Sequence, residues 1–241
     1  MRHAARLAVV MAVLVIGLVG AAGAAKKARD TFWSRPDFKQ LGVERIALFP
    51  VTSYDNNIEN ENMVEATLGQ FFKSLSYRWI SGSSTREILR GRTGSDSLLK
   101  ALRAGIVTNV RLDSLQAPRL AAMLNCDAVL TLRVDQFDRH EIDWNLAGKP
   151  YTTVWMHGAL VDSLGRLLWT VSGGETGEGE YYDPSANPVS VNDSGLNRKP
   201  VSGQAGAPTF REVLTVVFTR WAEQFPAPAA RAKADSAATP R

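Results

Sequence analysis

The chain has 241 residues, 45% hydrophobic and 22% charged, with 28 Lys and Arg against 24 Asp and Glu for a net charge of +4. So even a balance does not suggest a nucleic-acid footprint, and with Cys126 as the only cysteine no intramolecular disulfide can form. Roughly 200 residues remain after any leader is removed, enough for one well-buried core, so one domain with loose ends is expected.

Arg2 and Arg6 precede an apolar run from Leu7 to Val19 and then the small residues Gly20 to Ala25. These are the three parts of a secretory signal peptide. Ala22-Gly23-Ala24 places cleavage after Ala24 as first choice and after Ala25 as second. The competing reading is an uncleaved anchor helix, because the run and its tail approach the roughly 20 residues that span a bilayer. No Cys lies near the cleavage site, so no lipid anchor is expected. Removing residues 1–24 takes away two Arg and no acid, leaving 26 basic against 24 acidic residues, or +2.

Residues 25–42 form a polar lead-in segment, expected to dock through the rings of Trp33 and Phe38. Val43 to Val51 reads as the first strand, with Pro50 at its end or on an edge because proline donates no ladder bond. A loop containing Asp55-Asn56-Asn57 leads to a helix from about Glu61 to Leu75, whose Val64, Leu68, Phe71, Phe72 and Leu75 share one face. Asn62 and Glu65 read as its cap. Tyr77 to Ser81 is a short strand, Ser84-Thr85-Arg86-Glu87 a capping box opening a brief helix, and Leu98 to Leu102 a further helical stretch. Ser114 to Asn125 is helical, either starting or kinking at Pro118.

Asp127 to Phe137 reads as a strong strand with Ala128, Leu130, Leu132 and Val134 inward and Thr131, Arg133 and Asp135 outward. A linker over Asp138 to Lys149 joins it to a hairpin spanning residues 151–173, whose turn is Asp162-Ser163-Leu164-Gly165. In its first arm Val154, Met156, Gly158 and Leu160 face the core, and Thr153, Trp155, His157 and Ala159 the other side. The second arm, Arg166 to Val171, is nearly all apolar and belongs in the middle of a sheet covered by helices. Residues 174–208 are poor in apolar side chains and read as a long flexible loop. A final helix, Phe210 to Phe225, carries an apolar stripe opposite Arg211, Glu212, Thr215, Arg220 and Glu223, and residues 227–241 read as a disordered tail.

No catalytic, cofactor or metal constellation stands out. Asp138 to Asp143 crowds four candidate ligands into six residues, but metal ligands converge from separate turns or strands, so a solvated charged loop is the better reading. His157 reads as a half-buried, hydrogen-bonded histidine, and no serine sits in a nucleophile elbow. Gly173 to Gly179 is acidic and opens no helix, unlike a phosphate cradle. Cys126 reads as packed and inert. Trp33, Phe38, Tyr181 and Tyr182 are aromatics in polar segments, and they either pin those segments or form a partner surface. The Tyr181 to Pro208 loop is the expected place for a functional surface.

Several passages together resemble one family. Arg45-Ile46-Ala47-Leu48-Phe49-Pro50 is similar to its R-[IV]-A-[VL]-[LF]-P strand, Tyr77 to Ile80 to its G-[YF]-x-[VI] segment, and Leu120 to Leu130 to its L-A-x-x-L-G-[AV]-D-A-[VL]-[VL] passage. Asp162 to Trp169 is similar to its closing D-x-x-[TS]-G-x-[VL]-[LI]-W hairpin, with one residue fewer before the glycine. The chain thus resembles the envelope proteins whose domain is shared by the curli secretion channel CsgG, the amino-terminal domain of TolB and the lipoprotein activators of penicillin-binding proteins. The resemblance covers about residues 43–173 plus the last helix. It implies a single α/β domain over residues 43–226, with a mixed sheet covered by helices, and a non-enzymatic role in the cell envelope. The lipid-attachment cysteine of such lipoproteins is absent, Asn125-Cys126 replaces the usual Gly-Ala, and no pore-forming hairpin stands out, so no channel is expected.

The function expected is therefore that of an exported accessory or assembly protein, periplasmic or secreted, acting through an envelope protein partner or self-association. Peripheral membrane association fits that setting, and nucleic acid does not. The alternative expectation is a binding module for a small molecule or cell-wall fragment at the sheet's edge.

Overall fold

The structure, a computed structural model, describes residues 30–91, 95–143, 146–183 and 206–228. The predicted signal segment with Ala24 and Ala25, most of the predicted 174–208 loop, and the tail beyond residue 228 lie outside the described residues. In chain order the strands are β1 (Asp30–Ser34), β2 (Arg45–Leu48), β3 (Thr52–Ser53), β4 (Arg78–Ile80), β5 (Ala128–His140), β6 (Tyr151–Asp162) and β7 (Leu167–Glu178). The helices are α1 (Ile58–Phe72), α2 (Gly82–Arg90), α3 (Ser95–Asn109), α4 (Gln116–Leu124) and α5 (Phe210–Gln224). The strands form one mixed sheet in the order β1-β7-β6-β5-β2-β4, with β3 beside β5. The β5-β6-β7-β1 half is antiparallel, and β2 runs parallel to both β4 and β5. The fold is thus the expected α/β class.

Strand alternation sorts the apolar residues into two cores. On one face Ile46, Leu48, Leu130, Leu132, Val154, Met156 and Trp169 pack under α1 and α5, whose Val64, Leu68, Val217, Phe218 and Trp221 complete the layer. Across the sheet Ala47, Phe49, Val129 and Val161 meet Leu89, Leu102, Ile106 and Leu120 from α2, α3 and α4. The predicted apolar stripe of the last helix is the buried one. Asp127 ties the two halves: its carboxylate accepts from the backbone N–H groups of Glu44 (2.9 Å) and Arg45 (2.8 Å), fixing the start of β2 beside β5. Asn125 ends α4 in the left-handed conformation, as its place at a helix end implies. Cys126 is buried, and desolvation pushes its thiol up to about 11, which keeps it protonated at neutral pH.

Several local expectations are corrected. α1 begins at Ile58 because Asn57, read as loop, accepts from the N–H groups of Glu59 and Asn60. α2 is capped by Ser81 rather than Ser84. α3 extends from Ser95 to Asn109, far beyond Leu98 to Leu102. Pro118 lies two residues inside α4, where the Asp113 carboxylate takes the N–H groups of Leu115 and Gln116. The apolar second arm of the hairpin is next to the sheet's edge, not at its centre, because the lead-in segment supplies β1 as an outer strand. β7 also continues to Glu178, so Gly174 to Glu178 is strand, where loop was expected. Here pairing with β6 overrides the poor strand propensity of glycine.

Candidate functional site

The helices of the second core cover only part of their face. Beyond them, the outward residues of β1, β7, β6 and β5 form an exposed surface. Register places Trp33 opposite Thr170 and Thr31 opposite Ser172. His157 lies opposite Ser172 and Arg133, Trp155 opposite Gly174 and Gln136, and Thr153 opposite Thr176 and Asp138. Three large rings stand out on this surface: Trp33 is 45% exposed, Trp155 38% and Tyr151 39%. A Cβ on Gly174 would lie 2.9 Å from Cε3 of Trp155, so the glycine lets that indole lie down across β7.

A β-bulge builds the chemical centre of this surface. In the β5-β6 register Val134 pairs with Met156 and Gln136 with Trp155, which leaves Asp135 as the extra residue. A bulge re-aims its side chain, and the Asp135 carboxylate meets Nδ1 of His157. A carboxylate only accepts, so Nδ1 is the donor in this contact, and Nε2 lies 2.8 Å from the Ser172 hydroxyl. Arg133 Nε donates to the other Asp135 oxygen at 2.5 Å, and its Nη1 to the Val107 carbonyl at the end of α3 at 2.7 Å. A single relay thus crosses three strands and reaches a helix. Beside it runs a cleft of about 760 Å³, walled by the 109–114 segment and floored by His157, Thr170 and Ser172.

Ser172, His157 and Asp135 have the order of a nucleophile, a base and its orienting acid. Their setting differs from a hydrolase in two ways. Ser172 lies mid-strand with partners on both sides, so the neighbouring backbone N–H groups lie in the plane of the sheet and none is turned on the hydroxyl as an oxyanion donor. Arg133 also competes for the carboxylate that would stabilise a protonated His157. The arrangement joins β5, β6 and β7 and satisfies the polar groups within it. Among the described residues no group of three or more His, Cys, Asp or Glu could hold a metal. Asp138 to His140 belongs to β5, and the Glu141 carboxylate instead accepts from the Ala207 N–H at 3.0 Å.

One wall of the cleft is strained. Val110, just past α3, has φ of 65°, and its carbonyl accepts from the Thr131 hydroxyl at 2.7 Å. A β-branched residue there costs about 1–2 kcal/mol relative to a right-handed conformation. Val110→Gly should therefore raise stability by about 0.5–1 kcal/mol in urea unfolding. A loss would show that contacts of the Val110 side chain outweigh the strain.

The four aromatics singled out by sequence separate. Phe38 is buried in a 3-10 turn and Tyr182 is buried beside a two-way backbone pairing with Gly148, so both pin their segments. Trp33 and Tyr181 are exposed, but Trp33 lies beside Thr170 near the start of β7 and Tyr181 follows its far end. Roughly 25–30 Å of strand separates them, so they do not form one patch. The ring of β1 that docks inward is Phe32, not Trp33. Trp155 joins Trp33 instead, since its register partner Gly174 lies four residues along β7 from Thr170, a grouping that strand order alone creates. The rest of the Tyr181 to Pro208 loop, residues 184–205, lies outside the described residues.

No protein-family model matches the chain, and no curated protein matches it. Among solved structures it is similar to lipoprotein GNA1162 from Neisseria meningitidis, at 14% identity and a TM-score of 0.41, over 75% of this chain and 96% of that one. It is also similar to hypothetical protein CT253 from Chlamydia trachomatis, at 11% identity and a TM-score of 0.36, again over 75% and 96%. The PelC dodecamer from Paraburkholderia phytofirmans is similar at 16% identity and a TM-score of 0.32, over 61% of this chain and 81% of that one.

Proposed function

We propose that the protein is a non-enzymatic, exported accessory factor of the cell envelope that binds another protein through the open half of its sheet. The observation that carries this reading is the exposure of Trp33 and Trp155 on a part of the sheet that no helix covers among the described residues, with hydroxyl and amide side chains beside them. Trp and Tyr are enriched at protein interfaces because they combine large apolar area with a polar handle. The relay through Arg133, Asp135, His157 and Ser172 holds the face rigid before any partner arrives, which lowers the ordering cost of association. The predicted signal peptide at residues 1–24 and the resemblance to envelope proteins support the compartment. Among the described residues no helix is long and apolar enough to cross a membrane.

Photo-crosslinking in cells tests the surface, with p-benzoylphenylalanine at position 33 or 155 and, as control, at position 219 on the outer side of α5. A second envelope protein captured from 33 and 155 but not from 219 is the expected result. Crosslinks solely between copies would replace the partner by a second molecule of this chain. An even pattern over all three positions, or none, would overturn the surface. Mass spectrometry of the same material reads the mature amino terminus, expected at Ala25.

A further inference from the structure

The parallel half of the sheet carries a second concavity. β2 leads through α1 on one face to β4, whereas β4 leads through α2, α3 and α4 on the other face to β5. Connections leaving adjacent parallel strands for opposite faces open a crevice beyond their carboxyl ends, the usual ligand position in open α/β sheets. Such a crevice, about 820 Å³, lies here beyond Phe49 and Pro50, between the start of α1 and the flanks of α2 and α3. The volume suits a small organic ligand.

Its lining is divided by chemistry. Phe49, Ile58, Leu99 and Val107 supply an apolar wall, and Ile58 is a large side chain left 68% exposed. Four cations, Arg86, Arg90, Lys100 and Arg103, line the same space. Two are already engaged. Arg103 meets the buried Glu61 at 2.6 Å, which in turn accepts from the Ser53 N–H at 2.9 Å, and Arg86 lies 3.5 Å from Glu65. Arg90 and Lys100 form no ion pair with a carboxylate among the described residues, although Asp96 shares the lining. The Glu61 and Arg103 pair braces α1 against α3 and holds the crevice open, leaving Arg90 and Lys100 to face its contents.

We infer that this crevice binds an amphiphilic anion: an apolar chain or ring against Ile58, Leu99 and Val107, with a single carboxylate or phosphate head on Arg90 and Lys100. The inference is independent of the open sheet face and uses none of its residues. Titration of the full chain with 11-(dansylamino)undecanoic acid tests it by fluorescence. Saturable binding at one site per chain is expected. The double variant Arg90→Glu/Lys100→Glu should weaken it at least tenfold with an unchanged melting temperature, since both side chains are exposed. Ile58→Asp should weaken it similarly, Trp155→Ala should leave it unchanged, and the uncharged amide of the probe should bind at least tenfold more weakly than the acid. Absence of saturable binding, equal affinity of acid and amide, or full affinity in the double variant would overturn the inference. Loss of binding in Trp155→Ala would do so too, by moving the probe to the open sheet face.

Discussion

Replacing Arg220 by methionine should cost about 3–4 kcal/mol of stability, because it removes the shared cation of two buried acids. Arg220 Nε reaches Asp30 at 2.6 Å, Nη1 reaches Glu175 at 2.6 Å, and Nη2 donates to the Gly174 carbonyl at 2.9 Å. The side chains of Asp30 and Glu175 are 6% and 9% exposed, so water replaces little of what the guanidinium supplies. One residue of α5 thereby clamps β1 onto β7. The hydrogen bond to Asp30 first, and that to Glu175, raise the Arg220 pKa still further, so the guanidinium stays charged. Urea unfolding measures the loss. The triple variant Arg220→Met/Asp30→Asn/Glu175→Gln should recover at least half of it, because neutral amides tolerate burial better than carboxylates. If the triple variant is as unstable as the single one, packing of the Arg220 stem, and not its charge, carries the effect.

Gly174→Ala should be the most damaging small substitution in the sheet, at about 3 kcal/mol or more. A Cβ there would lie 2.0 Å from the Val154 carbonyl oxygen and 2.9 Å from Cα of Trp155, and both are backbone. The two strands can admit a methyl only by parting, which breaks ladder hydrogen bonds and lifts the Trp155 ring. Gly177→Ala is the internal comparison: its closest neighbour would be a side-chain methyl of Val213 at 3.0 Å, so a cost below about 1 kcal/mol is expected. Thermal melts of the two variants decide the matter, and equal melting temperatures would show that the sheet flexes at Gly174.

These two positions mark where the sequence stops being legible. Arg220 lies on the polar side of the last helix by periodicity, and nothing near it in the chain reveals that Asp30, 190 residues away, is its partner. Gly174 stands in a stretch of glycines and acids that reads as loop, because single-segment propensity carries no information about a strand already waiting to pair. The Asp135, His157 and Ser172 relay is hidden for a related reason. Period-two alternation puts Arg133 and Asp135 on one side of β5, but the bulge that turns Asp135 onto His157 is a property of the strand pair and leaves no mark in either strand alone. Phe32 and Trp33 show the same limit at the scale of neighbours: the rings point in opposite directions once β1 is laid against β7, and with no partner strand assigned the choice between them is arbitrary.

What the sequence determined by itself was carried by local periodicity: the α/β class, the long hairpin with its core face and the apolar stripe of α5. Those features follow from the spacing of apolar side chains and from short-range hydrogen bonds, which act within a few residues of the chain. Tertiary structure alone decided the strand order, the outer position of β1, the open aromatic face and the cation-lined crevice. Each of these depends on which distant segments exclude water from each other, and burial of that kind is a sum over the whole chain that no local window contains.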